Sequence, residues 1–318
     1  MESLKNFILS TFKVKKRTGA IRIEDGLKCG NWLFPWLLLV PAFLTWCVFW
    51  LYVNFNSILL SFQTVTGDWS LQQYEWVFKS LFGQDGDNTI GVALRNTCSY
   101  FFINYFIVQT ANVLLAYFFY KKITGYKALR FLVYIPNLFS GVFFATIYKE
   151  LIAFDGPIID WLLEIGWITK RYQLLADHRY AMTLSLVYSL WLGVGATMVY
   201  STGAMARIPQ ELLEAAMLDG ITPWREFVNI ILPMISGTLT TLYIIGAAGF
   251  LTAGGATLFL TGGNYGTQTL TFWIFWQVYT GGSTGTSSAL GICMTLFTLP
   301  LTLFVRWVGN RLTPEVSF

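Results

Sequence analysis

Long runs without charged residues alternate along the chain with short charged or glycine-rich segments. A helix of about 20 residues crosses the hydrocarbon core of a bilayer. Residues 227–305 contain no charged residue and are too long for one span, but a middle rich in Gly, Thr and Ser, at 253–285, divides them. The pattern therefore predicts an all-α, polytopic membrane protein with six transmembrane helices, near residues 33–55, 96–120, 131–148, 180–206, 229–252 and 286–306.

The composition excludes the main alternative classes. Charged residues make up 12% of the 318 residues and hydrophobic residues 55%, whereas an ordinary soluble domain is roughly 25% charged. Such a chain can neither cover a soluble core with charge nor remain disordered. The cysteines form no C-x-x-C pair, so we expect no metal site and no disulfide framework. A nucleic-acid partner is not expected, because the chain has no basic face.

The distribution of basic residues predicts the orientation. With both termini in the cytoplasm, 15 of the 21 Lys and Arg residues fall on the inner side, as the positive-inside rule requires. The outer loops then lie near 56–92, 150–179 and 253–285. Residues 1–30 are a basic cytoplasmic tail, either an interfacial helix on anionic lipid or a disordered segment that enforces topology. Residues 31–318 are expected to form a single transmembrane domain.

Two absences from the sequence limit the chemistry. No Asp, Glu, Lys, Arg or His lies near the centre of any predicted span, which argues against a proton relay or an intramembrane catalytic group. We therefore expect no catalytic residues in this chain. The sequence also lacks a G-x-x-x-x-G-K-[ST] phosphate loop. If transport is driven by ATP, another chain must hydrolyse it.

The loop between the fourth and fifth predicted spans, residues 207–226, contains a short helix signal. Pro209 is suited to the first position of a helix of about 11 residues, and Gly220 to its C-terminal end. Thr222 precedes a second helix start at Pro223. The helix is either a docking element for another protein or an amphipathic connector that rests on the membrane. Four residues share one face: Leu212, Ala215, Ala216 and Asp219.

The same loop contains a motif of fixed spacing. It matches E-A-A-x3-G-x9-I-x-L-P in full, through Glu214, Ala215, Ala216, Gly220, Ile230, Leu232 and Pro233. In this motif the chain resembles the permease subunits of binding-protein-dependent ABC importers. The flanking residues, and an outer-loop segment from Gly262 to Leu270, are similar to the carbohydrate branch with its maltose-type sugar permeases, although Asn264 replaces a Pro of that pattern. The resemblance covers roughly residues 90–312.

The resemblance implies a type I importer permease that moves a sugar or oligosaccharide across the bacterial cytoplasmic membrane by alternating access. Its partners would be a second related permease, two cytoplasmic ABC ATPases, an extracytoplasmic solute-binding protein and membrane lipid. No cofactor is expected in this chain, since ATP and Mg would bind to the ATPases. The residues implied in ATPase coupling are Glu214, Ala215, Ala216, Asp219, Gly220 and Arg225.

Substrate contacts are implied in the two spans that flank the coupling loop. Aromatic faces and hydroxyl groups bind sugars, although aromatic residues in spans also face lipid or pack helices. The resulting candidates are Tyr188, Ser189, Trp191, Gly193, Tyr243, Gly246 and Phe250. Two alternatives remain open at this point: an ABC importer permease for a polyol or glycerol phosphate, and, more distantly, a membrane-embedded enzyme.

Overall fold

The computed structural model describes residues 33–64, 67–84, 88–254 and 256–312, with side chains from Trp36 onward. Within these ranges the chain is helical apart from its connections, and its one isolated bridge pairs Gln63 with Trp69. The basic tail at 1–30, with its two interpretations, lies outside the described residues. The chain divides after Ser57 into two compact units.

The first unit contains most of one long helix, α1. It runs over Leu33–Trp46, continues through a π-helical segment, Cys47–Tyr52, and ends with Val53–Ser61. Nearly all its described side chains up to Asn56 are exposed, and most of them are large and apolar. A helix that is apolar on all sides belongs in lipid or in the core of an assembly.

The second unit begins with helices α2 to α6. Helix α2 is Gln72–Phe82, and α3 runs over Thr89–Tyr120 with a π-helical segment, Ile103–Val108, in its middle. Extended backbone at Phe139 ends α4, and the Ser140 side chain caps α5 by accepting a hydrogen bond from the Val142 amide. The two helices therefore meet at 106°. Their bounds, with those of the short α6, are Tyr126–Leu138 for α4, Gly141–Leu151 for α5 and Pro157–Glu164 for α6.

The remaining helices, α7 to α14, include a second bent pair. Helices α10 and α11 meet at 72° at Ile235. The bounds are Ala181–Gly193 for α7, Met198–Met205 for α8, Gln210–Leu218 for α9, Pro223–Met234 for α10, Ser236–Thr252 for α11 (its last four residues a 3-10 turn), Thr257–Leu260 for α12, Leu270–Tyr279 for α13 and Thr284–Leu312 for α14.

The described helices confirm the predicted all-α membrane fold. Helix α1, helix α3, the α7–α8 pair and helix α14 are each long and apolar enough to cross a bilayer. The bent pairs α4–α5 and α10–α11 raise the number of spans to as many as six. The third and fifth spans are therefore bent rather than straight. Helix α3 begins at Thr89, seven residues before its predicted start at 96.

Three buried clusters pack the second unit together. One joins α3 to α8, α9 and α10 around Met205 and Ile231, a second joins α2 and α3 to α13 and α14 around Leu290, and a third joins α5 to α7. Buried Asn96 on α3 donates hydrogen bonds to the carbonyls of Gly266, at 2.7 Å, and Gln268, at 2.8 Å. Helix α3 thus contacts two of the clusters and also fixes the 261–269 connection.

Candidate functional site

A cavity of about 570 Å³ lies between the middle of α3, the junction of α7 with α8, and the C-terminal part of α11. Its apolar wall includes Phe101, Tyr105, Leu192 and Tyr243. The volume is in the range of about 300–1,000 Å³ that is usual for small-molecule sites. The amide and aliphatic hydroxyl side chains that line it are Asn104, Gln109, Asn112, Asn137, Ser189, Thr197 and Thr252.

One wall of the cavity is a break in the fourth span. Helix α7 ends at Gly193, Val194 is extended, and α8 starts only at Met198. Gly195 has φ +103°, and an added Cβ would lie 2.5 Å from the Val133 carbonyl oxygen, so both the conformation and the space require glycine here. Such unwound segments are where transporters place polar backbone groups at membrane depth.

Side-chain amides of α3 satisfy the groups that this break releases. Asn112 Oδ1 accepts from the Gly195 amide at 2.5 Å. Asn112 Nδ2 donates to the Gly193 carbonyl at 3.2 Å and to Thr197 Oγ1 at 3.0 Å. The Thr197 hydroxyl in turn donates to Gln109 Oε1 at 2.8 Å. Backbone polar groups in lipid must form hydrogen bonds with other protein groups. Asn112 bonds directly to the groups released by the break, and Gln109 bonds to Thr197 beside them.

A second polar pair lies nearer the start of the π-helical segment. Asn104 Nδ2 donates to Ser189 Oγ at 2.9 Å and to the Tyr100 carbonyl at 2.9 Å. Among the described residues, the lining of the cavity contains no Asp, Glu, Lys, Arg or His. In the same part of the chain, no group of three or more acidic, His and Cys side chains could hold a metal ion. The polar side chains of the described lining are therefore neutral amides and hydroxyls.

The second candidate surface is α9 and the turn that follows it, where the sequence predicts the coupling residues. The sequence predicts a helix of about 11 residues that begins at Pro209. The helix has nine residues, because Pro209 has ψ 129° and occupies the N-cap instead of the first helical position. Gly220, with φ +72°, ends it as expected, through bonds from the Gly220 amide to the Met217 carbonyl and from the Ile221 amide to Ala216.

The two faces of α9 have different surroundings. Leu213 and Ala216 are buried and turn toward the chain, where Leu213 joins the cluster around Ile208 and Phe227. The opposite face is exposed and partly apolar. It comprises Glu211, Leu212, Glu214, Ala215, Met217 and Leu218, continued by exposed Asp219, Trp224 and Arg225.

A buried ion pair joins the start of α10 to the end of α3. Lys121 Nζ lies 2.6 Å from Glu226 Oε1 and donates to Oε2 at 2.8 Å. The Glu226 side chain is 4% exposed. Tyr117 adds a hydrogen bond to the Pro223 carbonyl at 3.0 Å and packs its ring on Phe227, with centroids 4.9 Å apart. The segment after α9 is therefore attached to α3, the helix that carries the cavity amides.

Comparison with known proteins identifies the family. Residues 90–315 match the model of the binding-protein-dependent transport system inner membrane component family. The chain belongs to this family. It is therefore the membrane component of a transport system and not an enzyme, and the family predicted from the motif is confirmed. Its helices have the fold of an ABC importer permease, as the solved structures below indicate.

Two curated relatives cover most of the permease. The lactose transport system permease protein LacF of Rhizobium radiobacter is 27% identical over 217 residues, which are 68% of this chain and 72% of the relative. The alpha-glucoside transport system permease protein AglF of Rhizobium meliloti is 24% identical over 310 residues, 92% of this chain and 87% of the relative. A chain of a bacterial ABC transporter involved in the import of the acidic polysaccharide alginate has a TM-score of 0.78 at 21% identity, with 89% of this chain and 97% of that chain covered.

Five of the seven residues expected in substrate contact line the cavity of the permease: Tyr188, Ser189, Gly193, Tyr243 and Gly246. Trp191 and Phe250 are not among the lining residues. Trp191 packs edge-on against Phe144, with centroids 5.4 Å apart, and Phe250, 3% exposed, packs against Phe101. Both lie beside the cavity.

The amides of α3 are functional candidates that the sequence does not single out. Asn104, Gln109 and Asn112 lie in a predicted span, where amides are costly unless they have partners. That cost is the signal in the sequence that could have indicated them. Asn104 and Gln109 are five residues apart, a spacing that does not indicate a shared face on a regular α-helix. They share a face here because a π-helical segment, Ile103–Val108, adds a residue to the turn.

Proposed function

We propose that the permease is the membrane-spanning subunit of an ATP-driven importer for an uncharged sugar or oligosaccharide. The observation that carries the proposal is the cavity: amides, hydroxyl groups and tyrosine rings without a charged side chain. Sugars bind through aromatic faces and neutral hydrogen-bonding groups. The similar proteins named for lactose, alpha-glucoside and arabinooligosaccharide transport support the same substrate class.

Glycerol phosphate is less well accommodated than a sugar. Anionic phosphates are bound in proteins by Arg, Lys, metal ions or helix N-termini, and no Arg or Lys lines this cavity. A polyol has the hydroxyl groups of a sugar but lacks the ring that would stack on Tyr105 or Tyr243. These differences favour the sugar over both alternative solutes.

Transport by alternating access requires partners that supply energy and solute. We propose a second related permease as a heterodimer partner, two ATPases that bind ATP and Mg²⁺, and an external solute-binding protein. The exposed apolar face of α9, with Leu212, Met217 and Leu218, is the surface offered to an ATPase, and exposed Glu214 and Arg225 would add charged contacts. Alginate transport in the structural neighbour also involves a periplasmic binding protein.

The proposed location is the bacterial cytoplasmic membrane, with both termini in the cytoplasm. In this orientation 15 of the 21 Lys and Arg residues lie on the side of α9, as the positive-inside rule requires. It places α9 where ATP is available and the 261–269 connection on the side from which a binding protein delivers its solute.

Uptake measurements test the proposed cavity. In proteoliposomes with all partner subunits and the binding protein, Asn104→Leu and Gln109→Leu should each lower the kcat/KM of sugar uptake at least tenfold, equivalent to about 1.4 kcal/mol. Each change removes a hydrogen-bonding group from the wall. The matched control is Thr298→Val, because the buried Thr298 hydroxyl donates to the Met294 carbonyl of its own helix and Thr298 is not among the residues that line the cavity. Unchanged sugar uptake in both leucine variants would contradict the proposal.

A further inference from the structure

A second concave surface, which we call the Trp76 groove, lies between the α1–α2 connection, α2, α13 and the start of α14. It encloses about 670 Å³ and is lined by Asp68, Gln72, Trp76, Trp273 and Gln277, among others. None of its lining residues lines the cavity. The groove is therefore a separate site of similar size.

The walls of the Trp76 groove are held in place by hydrogen bonds between its elements. The Thr286 hydroxyl donates to Gln73 Oε1, and Gln73 Nε2 donates to the Gln63 carbonyl at 3.5 Å. The Thr286 amide donates to Ser283 Oγ at 3.2 Å. Gly285 allows this close approach, because an added Cβ would lie 3.0 Å from the Leu60 carbonyl oxygen.

Two tryptophans give the groove a supported aromatic surface. The rings of Trp76 and Trp273 stack with centroids 5.9 Å apart and an interplanar angle of 24°. Trp273 is 6% exposed and belongs to the buried cluster around Leu290, whereas Trp76 is 36% exposed. Trp76 can thus stack on a flat apolar ligand face without moving, since Trp273 fixes its position.

Polar groups with unused hydrogen-bonding capacity flank this aromatic surface. Among the described residues, the side-chain amides of Gln72 and Gln277 have no hydrogen-bond partner. Gly282 leaves the Gln277 amide uncovered, because a Cβ at Gly282 would lie 2.1 Å from Gln277 Oε1. Amides beside a tryptophan face form the combination that binds the adjacent hydroxyls and the apolar face of a sugar ring.

We propose that the Trp76 groove is a second saccharide-binding site, on the extracytoplasmic side, that holds part of the substrate before it enters the cavity. The proposal rests on the proposed function for the substrate class and for the side of the membrane. A saccharide fits better than a binding-protein side chain, because the groove combines a volume of small-molecule size with amides on both α2 and α13.

Binding measurements separate the groove from the cavity. The complete importer, without its binding protein, would be placed in nanodiscs and titrated with lactose, maltotriose and arabinotriose, with saturation-transfer NMR as the readout. We expect Trp76→Ala and Gln277→Leu each to weaken the affinity of at least one of these saccharides tenfold or more. Trp76→Phe should retain most of the affinity, because an aromatic ring remains. Trp167→Ala is the matched control, since Trp167 is 79% exposed and lies outside the groove.

The cavity variants Asn104→Leu and Gln109→Leu distinguish failure of this proposal from failure of the proposed function. Binding that survives in both cavity variants and falls in the groove variants supports a second site. Binding that falls only in the cavity variants overturns the groove and leaves the proposed function intact. Binding of no saccharide by the unmodified importer overturns the groove, whereas the proposed function is overturned only if sugar uptake with the binding protein is also absent. In a second titration, the binding protein is added to the same nanodiscs. If the groove variants bind the saccharides normally but bind the binding protein more weakly, the groove is a protein-docking surface and the proposal of a saccharide site is overturned.

Discussion

Asn112 satisfies three polar groups at the break in the fourth span. Its side chain accepts from the Gly195 amide and donates to the Gly193 carbonyl and the Thr197 hydroxyl. An unsatisfied backbone group in hydrocarbon costs several kcal/mol, so the break can exist at membrane depth because this amide faces it. Gly195 is equally necessary, because its backbone conformation directs the Gly195 amide toward Asn112.

Gly195→Ala should therefore destabilise the permease. A non-glycine residue in the left-handed region costs about 1–2 kcal/mol, and the contact with the Val133 carbonyl adds to it. We expect a lower apparent Tm for the detergent-solubilised protein by fluorescence-detected chromatography, together with loss of uptake. Gly203→Ala is the matched control: an added Cβ there meets nothing within 4 Å, and alanine is favoured inside a helix such as α8. Equal stability of the two variants would contradict the role of Gly195.

At the scale of elements, α3 joins the cavity to the segment that follows α9. Its middle carries the cavity amides, whereas Tyr117 near its end and Lys121 just beyond it bond to the segment that follows α9. We therefore predict that a movement of α9 reaches the helix that lines the cavity through the Lys121–Glu226 ion pair. The ion pair is buried on the glutamate side, so its loss leaves an uncompensated charge.

Lys121→Met tests this link. Loss of one partner of a buried ion pair costs roughly 3 kcal/mol, so we expect lower thermal stability. The test of coupling is that ATP hydrolysis by the assembled importer becomes less responsive to the loaded binding protein. Lys127→Met removes an exposed lysine on α4 and should change neither property. The double variant Lys121→Glu, Glu226→Lys should recover part of the coupling. A single variant with fully stimulated ATP hydrolysis would show that α3 does not transmit the movement.

At the scale of the whole molecule, the sequence predicts those features of the fold that depend on the residue pattern within a single segment. Charge-free runs locate the spans, and a motif of fixed spacing around Glu214 identifies the family, because both are read along one segment. The cavity depends on which faces of distant helices meet. Trp191 and Tyr188 have the same aromatic character, yet Tyr188 lines the cavity and Trp191 does not. Nor does the sequence indicate that Asn112 would face a broken span 81 residues further on.

The same limit applies to α9, where the structure separates two adjacent alanines. Ala216 is buried against the chain, whereas Ala215 lies on the exposed face of α9 with Leu212 and Leu218. Ala215→Trp should therefore leave the permease folded but block close approach of an ATPase. We expect the variant to keep the Tm of the unmodified protein and to lose copurification with the ATPase subunits. Ala216→Trp is the matched comparison, and it should lower the Tm itself because the core around Leu213 cannot hold the larger ring. Coupled transport at the normal rate by Ala215→Trp would show that this face of α9 does not contact the ATPase.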